Sequence, residues 1–169
     1  MTCTLSDVVG DPDYRPRDGD AAFLPVGTEL REIAGYRSDF RLAAHEDGRW
    51  RIYEAADVPD AGTGEDLLDI RGKVRRVHLV EGDDEGTGIL RTVDRPARVT
   101  ALVDAVLAAP VMPEAEAARR FDDETPVFVR FDLADGTTVQ RAWHVRAGVL
   151  SRRVEAPAAL LHALRPAGR

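Results

Sequence analysis

The sequence predicts an α+β protein: a mostly antiparallel sheet built from hairpins, with two or three helices packed on one face. Three observations predict it. Apolar and polar side chains alternate with the period of a strand, as where Val127, Val129, Phe131 and Leu133 interleave with Phe128, Arg130 and Asp132. Hairpin-type turn residues such as Asp135-Gly136 stand between runs of this kind. One longer stretch carries helical spacing instead, with Val99, Leu102, Val103, Val106 and Leu107 on one stripe. The order is strands, helix, strands, helix. Helices do not follow each strand, so a parallel Rossmann-type sheet does not fit.

The elements follow in chain order. Residues 1–22 read as a mobile polar leader, because Asp11, Pro12, Asp13, Pro16, Asp18, Gly19 and Asp20 leave little to bury. A single domain is expected over 23–165, with 166–169 frayed. Thr28–Ile33 can form a short strand. Phe40–Ala44 alternates, "HEDGR" supplies a turn around Gly48, and Arg49–Ala55 returns with Trp50 and Ile52 expected on the inner side. "DVPDAGTG" is a loop and "EDLLDI" one helical turn. Val74–Val80 and Ile89–Val93 make a second hairpin across the acidic "EGDDEGTG".

Asp94 is the expected N-cap of the main helix, with Pro96 in its first turn and Pro110 and Pro113 stopping it. Glu114–Arg120 is a short polar helix. The last hairpin returns through Val139, Trp143 and Val145. Ala147-Gly148 turns into a strand over Val149–Val154, and Pro157 opens a helix carrying Leu160, Leu161 and Leu164.

Composition narrows function. Net charge is −7, so a phosphate backbone or an anionic membrane is repelled, and nucleic acid is not an expected partner. Lys73 is the only lysine and every other basic residue is arginine. Arginine and aspartate are mixed along the whole chain, which points to the codon usage of a GC-rich genome rather than a basic tract. The single cysteine, Cys3, permits no internal disulfide. No segment has the roughly 20 apolar residues of a membrane span. The start has neither a basic n-region nor an apolar h-region, so a cytoplasmic location is expected of the chain as written.

Catalytic and metal signatures are not found, and no cofactor is expected. His45, His78, His144 and His162 form no HxH, HExxH or HxxxH pair. His78 and His144 both fall on predicted strands, where with carboxylates they would suit a hydrolase-like site. Ser6, Ser38 and Ser151 lie in no nucleophile motif. The acidic clusters "DPDYRPRDGD" and "EGDDEGTG" miss the calcium-loop pattern and read as solvated turns. Gly62-Thr63-Gly64 and Gly86-Thr87-Gly88 lack the lysine of a phosphate loop and also read as turns. What remains is the first hairpin. Arg41, Arg49 and Arg51 are expected to share the face opposite Phe40, Leu42, Trp50 and Ile52, with Tyr53 and Arg31 near. Such a patch would hold an anion or an acidic partner.

The segments "LPVGTELREIAGYRSDFRLAA", "DLLDIRGKVRRVHL", "VDAVLAAPV" and "DGTTVQRAWHV" resemble a poorly characterised small domain of secreted or lipid-anchored proteins of Gram-positive bacteria. The likeness covers roughly 23–164 and rests on glycines and core positions. It implies a small extracytoplasmic module of unknown activity and assigns no functional residue; an extracytoplasmic ligand-binding module is the alternative reading of function. With a start upstream of Met1, Cys3 would be the lipid-bearing cysteine. The residues themselves favour a non-enzymatic module that binds another protein through its sheet faces and edges.

Overall fold

A computed structural model describes residues 2–4, 24–25, 27–55, 58–81, 88–120, 124–151 and 153–164. The class is α+β; the described residues form antiparallel strands in two sheets and four helices. The chain divides after Ala56 into two compact units.

The first unit is a four-stranded antiparallel meander in the order β1-β2-β3-β4. Its strands are β1 (Thr2–Thr4), β2 (Glu29–Glu32), β3 (Arg41–Glu46) and β4 (Arg49–Glu54). Within the stretch read as a leader, Thr2, Cys3 and Thr4 pair with Arg31, Leu30 and Glu29. Residue 1 and residues 5–22 of that leader lie outside the described residues. Leu30 and Ala44 form the buried centre, and Leu24, Leu42 and Tyr53 pack against them.

The second unit holds a six-stranded antiparallel sheet in the order β10-β9-β8-β7-β5-β6. Its elements are α1 (Gly64–Leu67), β5 (Val74–Glu81), β6 (Gly88–Val93), α2 (Pro96–Ala108), α3 (Glu114–Arg120), β7 (Val127–Leu133), β8 (Thr138–His144), β9 (Val149–Leu150), β10 (Val154–Glu155) and α4 (Ala158–Leu164). Alternation in β7 is realised: Val127, Val129, Phe131 and Leu133 are buried and the residues between them are half-buried. Across β5, Val77 opposes Phe131 and Leu79 opposes Val129, which puts four fully or nearly fully buried side chains on one face. The expected stripe of α2 is buried in full. α2 packs on β5, α1 and α4, and α4 also reaches β6.

Element boundaries differ in places from the sequence reading. The residue that caps α2 is Arg95, not Asp94, because Pro96 takes the first helical position and its fixed φ starts the helix there. The expected strand Val149–Val154 is broken into β9 and β10, a tight hairpin in which Val154 pairs with Leu150 and Ser151 turns at φ 60°. The last main hairpin has a three-residue loop, since Leu133 N–H donates to Thr137 O at 2.9 Å and Gly136 sits at φ 88°.

The Gly62-Thr63-Gly64 turn has a structural duty. The Asp66 carboxylate accepts the Gly62 and Thr63 N–H groups, each at 2.9 Å, so the donors a phosphate would need are occupied. Gly64 lies against the C-terminal end of α2, donating to Ala109 O at 2.8 Å. A Cβ at this position would collide with the Val106 carbonyl oxygen, whereas at Gly62 its nearest neighbour would be Asp66 Oδ2 at 3.8 Å. Gly64→Ala is therefore expected to lower stability by about 1–3 kcal/mol in urea unfolding, the usual cost of overpacking, with Gly62→Ala close to neutral.

Candidate functional site

The β3–β4 hairpin is the part of the molecule on which the sequence placed a site. Its turn holds two residues, Asp47 and Gly48, at φ 49° and 75°. Both values are positive, as a type I′ turn requires, and Gly48 meets that demand without a Cβ clash. The turn fixes the register: Glu46 opposes Arg49, His45 opposes Trp50, Ala44 opposes Arg51, Ala43 opposes Ile52, Leu42 opposes Tyr53 and Arg41 opposes Glu54. Directly opposed residues share a face. The expected arrangement is thus corrected. Arg49, Arg51 and Tyr53 lie on the face of Leu42 and Ala44. Arg41 lies on the other face, with Trp50 and Ile52. A two-residue loop pairs odd positions of one strand with even positions of the next, and the sequence reading had paired even with even.

Trp50 and Ile52 consequently leave the core they were expected to join; they are 55% and 41% exposed. Arg31 opposes Ala43 from β2 and belongs to the same face. Its guanidinium carbon sits 5.3 Å from the Trp50 ring centroid, and His45 meets that ring edge-on at 5.1 Å. The result is a ledge of Arg31, His45, Trp50 and Ile52.

Arg41 has a different role from the other arginines. It is 1% exposed. Its Nε and Nη2 both donate to Glu54 Oε1, at 2.8 and 2.5 Å. Tyr36 and Phe40 stack near the guanidinium at 5.0 and 5.5 Å. A charge this deep persists only because the opposing carboxylate and the two rings surround it. Arg41 holds the hairpin together and presents nothing to a ligand. Arg51 is exposed and paired with Glu46 at 2.7 Å. Arg49 is exposed, and its side chain makes no ion pair among the described residues.

The strand histidines are not brought together. His78 opposes Arg130 on β7, which opposes Gln140 on β8. His144 lies four residues further along β8, about 16 Å from His78 by strand spacing and rise. His78 is buried, and both of its ring nitrogens are engaged at 2.9 Å, one with Thr92 Oγ1 and one with Asp132 Oδ2. Neither nitrogen is free for a metal without breaking a bond. Among the described residues no group of three His, Cys, Asp or Glu side chains is placed to hold a metal ion. No helix among them is long and apolar enough to cross a membrane.

No known protein family, curated protein or solved structure matches this chain.

Two outcomes follow from the hairpin. Removing Arg41 leaves the Glu54 carboxylate half of a buried pair, so Arg41→Ala is expected to cost about 3 kcal/mol in chemical unfolding, while Arg49→Ala changes stability by less than about 0.5 kcal/mol. The Tyr53 phenol is held above its ordinary value of 10.0, first by burial, then by the charge of Glu46, against an opposing pull from Arg51. A phenol whose folded pKa lies above its unfolded one contributes stability that is complete below pH 10.0 and lost as pH rises through the folded value. Ultraviolet titration of the phenolate, assigned with Tyr53→Phe, is expected to place Tyr53 later than free tyrosine. Glu46→Gln should move it back toward the ordinary value.

Proposed function

We propose that this protein is a protein-interaction module whose β4 edge receives an extended segment of a partner chain. The observation that carries this reading is the pair Trp50 and Ile52, large, apolar and exposed on an outermost strand. An edge strand offers unpaired backbone groups to another strand, and exposed apolar side chains beside them add burial energy once it docks.

The chemistry of the partner follows from the pleat. Residues directly opposite Trp50 and Ile52 meet an apolar ledge. Those opposite Arg49 and Arg51 meet guanidinium groups on the other face. The fitting segment alternates apolar and carboxylate side chains. Apolar contact supplies most of the attraction, because exposed ion pairs contribute only about 0–1 kcal/mol each.

Acrylamide quenching tests this without an identified partner. Trp143 is fully buried, so the accessible signal comes from Trp50. A synthetic peptide alternating valine and glutamate is expected to shield Trp50 in a saturable way. The same peptide N-methylated on alternate amides should not shield it, since the edge pairing is blocked. Ile52→Asp should weaken the shielding about tenfold or more, the effect of losing roughly 1.4 kcal/mol. Absence of saturable shielding at millimolar peptide, or equal shielding by the N-methylated peptide, rejects the reading.

A further inference from the structure

We infer that the second unit carries an anion-binding groove, distinct from the β4 edge, for a small organic molecule bearing clustered phosphate or carboxylate groups. The groove has a volume of about 770 Å³ and is lined by Arg91, Asp94, Arg95, Arg98, His162 and smaller side chains. A volume of several hundred Å³ suits a small-molecule ligand.

Three structural elements supply these cations independently. Arg91 opposes Leu79, and Val93 opposes Val77, both partners being fully buried. Arg91 therefore stands on the face of β6 that the helices cover. Arg95 precedes α2 and Arg98 is in its first turn, with Ala101 and Leu102 continuing the groove wall one turn on. His162 comes from α4, flanked at helical spacing by Ala159 and by Ala163. The contacts of α4 with both β6 and α2 bring the three walls together.

The charge state of the groove is the unexplained feature. Elsewhere in this unit four described arginines have carboxylates: Arg71 pairs with Glu65 and Asp104, Arg120 with Glu116, Arg130 with Asp132, and Arg146 with Glu124, while Arg141 and Arg153 donate to main-chain carbonyls. No ion pair or side-chain hydrogen bond of Arg91, Arg95 or Arg98 is formed among the described residues, although Asp94 lines the same groove. Arg75, Arg76 and Arg119 are also unpaired and, like Arg91, Arg95 and Arg98, exposed; what sets the latter three apart is that they line one groove. In a chain of net charge −7, three exposed guanidiniums without a carboxylate partner among the described residues line one concavity, where a ligand with more than one anionic group would engage them together.

The α2 end itself is not what attracts the ligand. Pro96 has no N–H, and the Arg98 and Val99 N–H groups are already bonded to Arg95 O at 2.9 Å. Recognition falls to the guanidinium forks, which bind carboxylate or phosphate oxygens two at a time. Three forks call for more than one anionic group, and the alanine and leucine side chains leave room for an organic body. A long polyanion is disfavoured by the acidic protein around the groove.

The test is calorimetric titration of the full chain with pyrophosphate and, separately, with citrate. Binding of one molecule per chain is expected with at least one of them, weakening as salt is raised. Preference for pyrophosphate assigns phosphoryl ligands, and preference for citrate assigns carboxylates. Arg95→Glu and Arg98→Glu should each weaken binding about tenfold or more. Arg75→Ala/Arg76→Ala, which removes two unpaired arginines outside the groove, should leave it unchanged. Circular dichroism confirms that each variant is folded. No binding at millimolar ligand, equal loss in the Arg75/Arg76 variant, or tighter binding of a single-stranded oligonucleotide than of either small anion overturns the inference.

Discussion

The register of each hairpin decides which side chains of this protein face a core and which face solvent. Loop length is the constraint behind it. Two residues, Asp47 and Gly48, join β3 to β4, so odd positions oppose even ones and Trp50 comes to stand beside Ala43, His45 and Ile52. Three residues join β7 to β8, so odd positions oppose odd ones, as with Val127 and Trp143 or Phe131 and Val139. Similar alternating sequences therefore send one tryptophan outward, at 55% exposure, and bury the other completely. A one-residue change in either loop would exchange the faces of a whole strand.

The β5–β6 pair adds a second form of the same constraint. From the loop end, Glu81 opposes Gly88 and Val80 opposes Ile89. Continued unchanged, that pairing would bring Arg91 opposite His78. The irregularity beside Leu79 and Val80 passes over Leu90, so Leu79 opposes Arg91 and His78 opposes Thr92. One extra residue thereby does two things. It gives the buried His78 ring its Thr92 hydroxyl at 2.9 Å, and it turns Arg91 to the helix side, where the groove is.

This explains what the sequence could and could not reveal. The α2 stripe and the β7 alternation were legible because each depends on the period of a single element, and both are realised residue by residue. The position of Trp50 was not legible, because it depends on the partner strand and hence on whether the loop holds two or three residues. Arg41 was misplaced for a related reason. Its alternation suggested an outward arginine, and only the opposing Glu54 with the nearby Tyr36 and Phe40 makes its burial tolerable. The groove had no sequence signature at all. Arg91, Arg95 and Arg98 look like the arginine scattered through the rest of the chain, and His162 is 64 positions beyond Arg98, so only the packing of α4 against β6 and α2 assembles them.

The two proposed sites also differ in the physics that would drive them. On β4 the gain comes from covering Trp50 and Ile52, and burial of apolar surface is worth about 25 cal/mol per Å² with little dependence on dilute salt. In the groove the gain is Coulombic and depends on charges left unpaired in an acidic chain. With a Debye length of about 8 Å at physiological ionic strength, neighbouring guanidiniums within the groove still act on one ligand together, while the acidic surface beyond is largely screened. Arginine content alone therefore says little about function here. Arg41 stabilises a fold because it is paired, and Arg95 and Arg98 are available to a ligand because they are not.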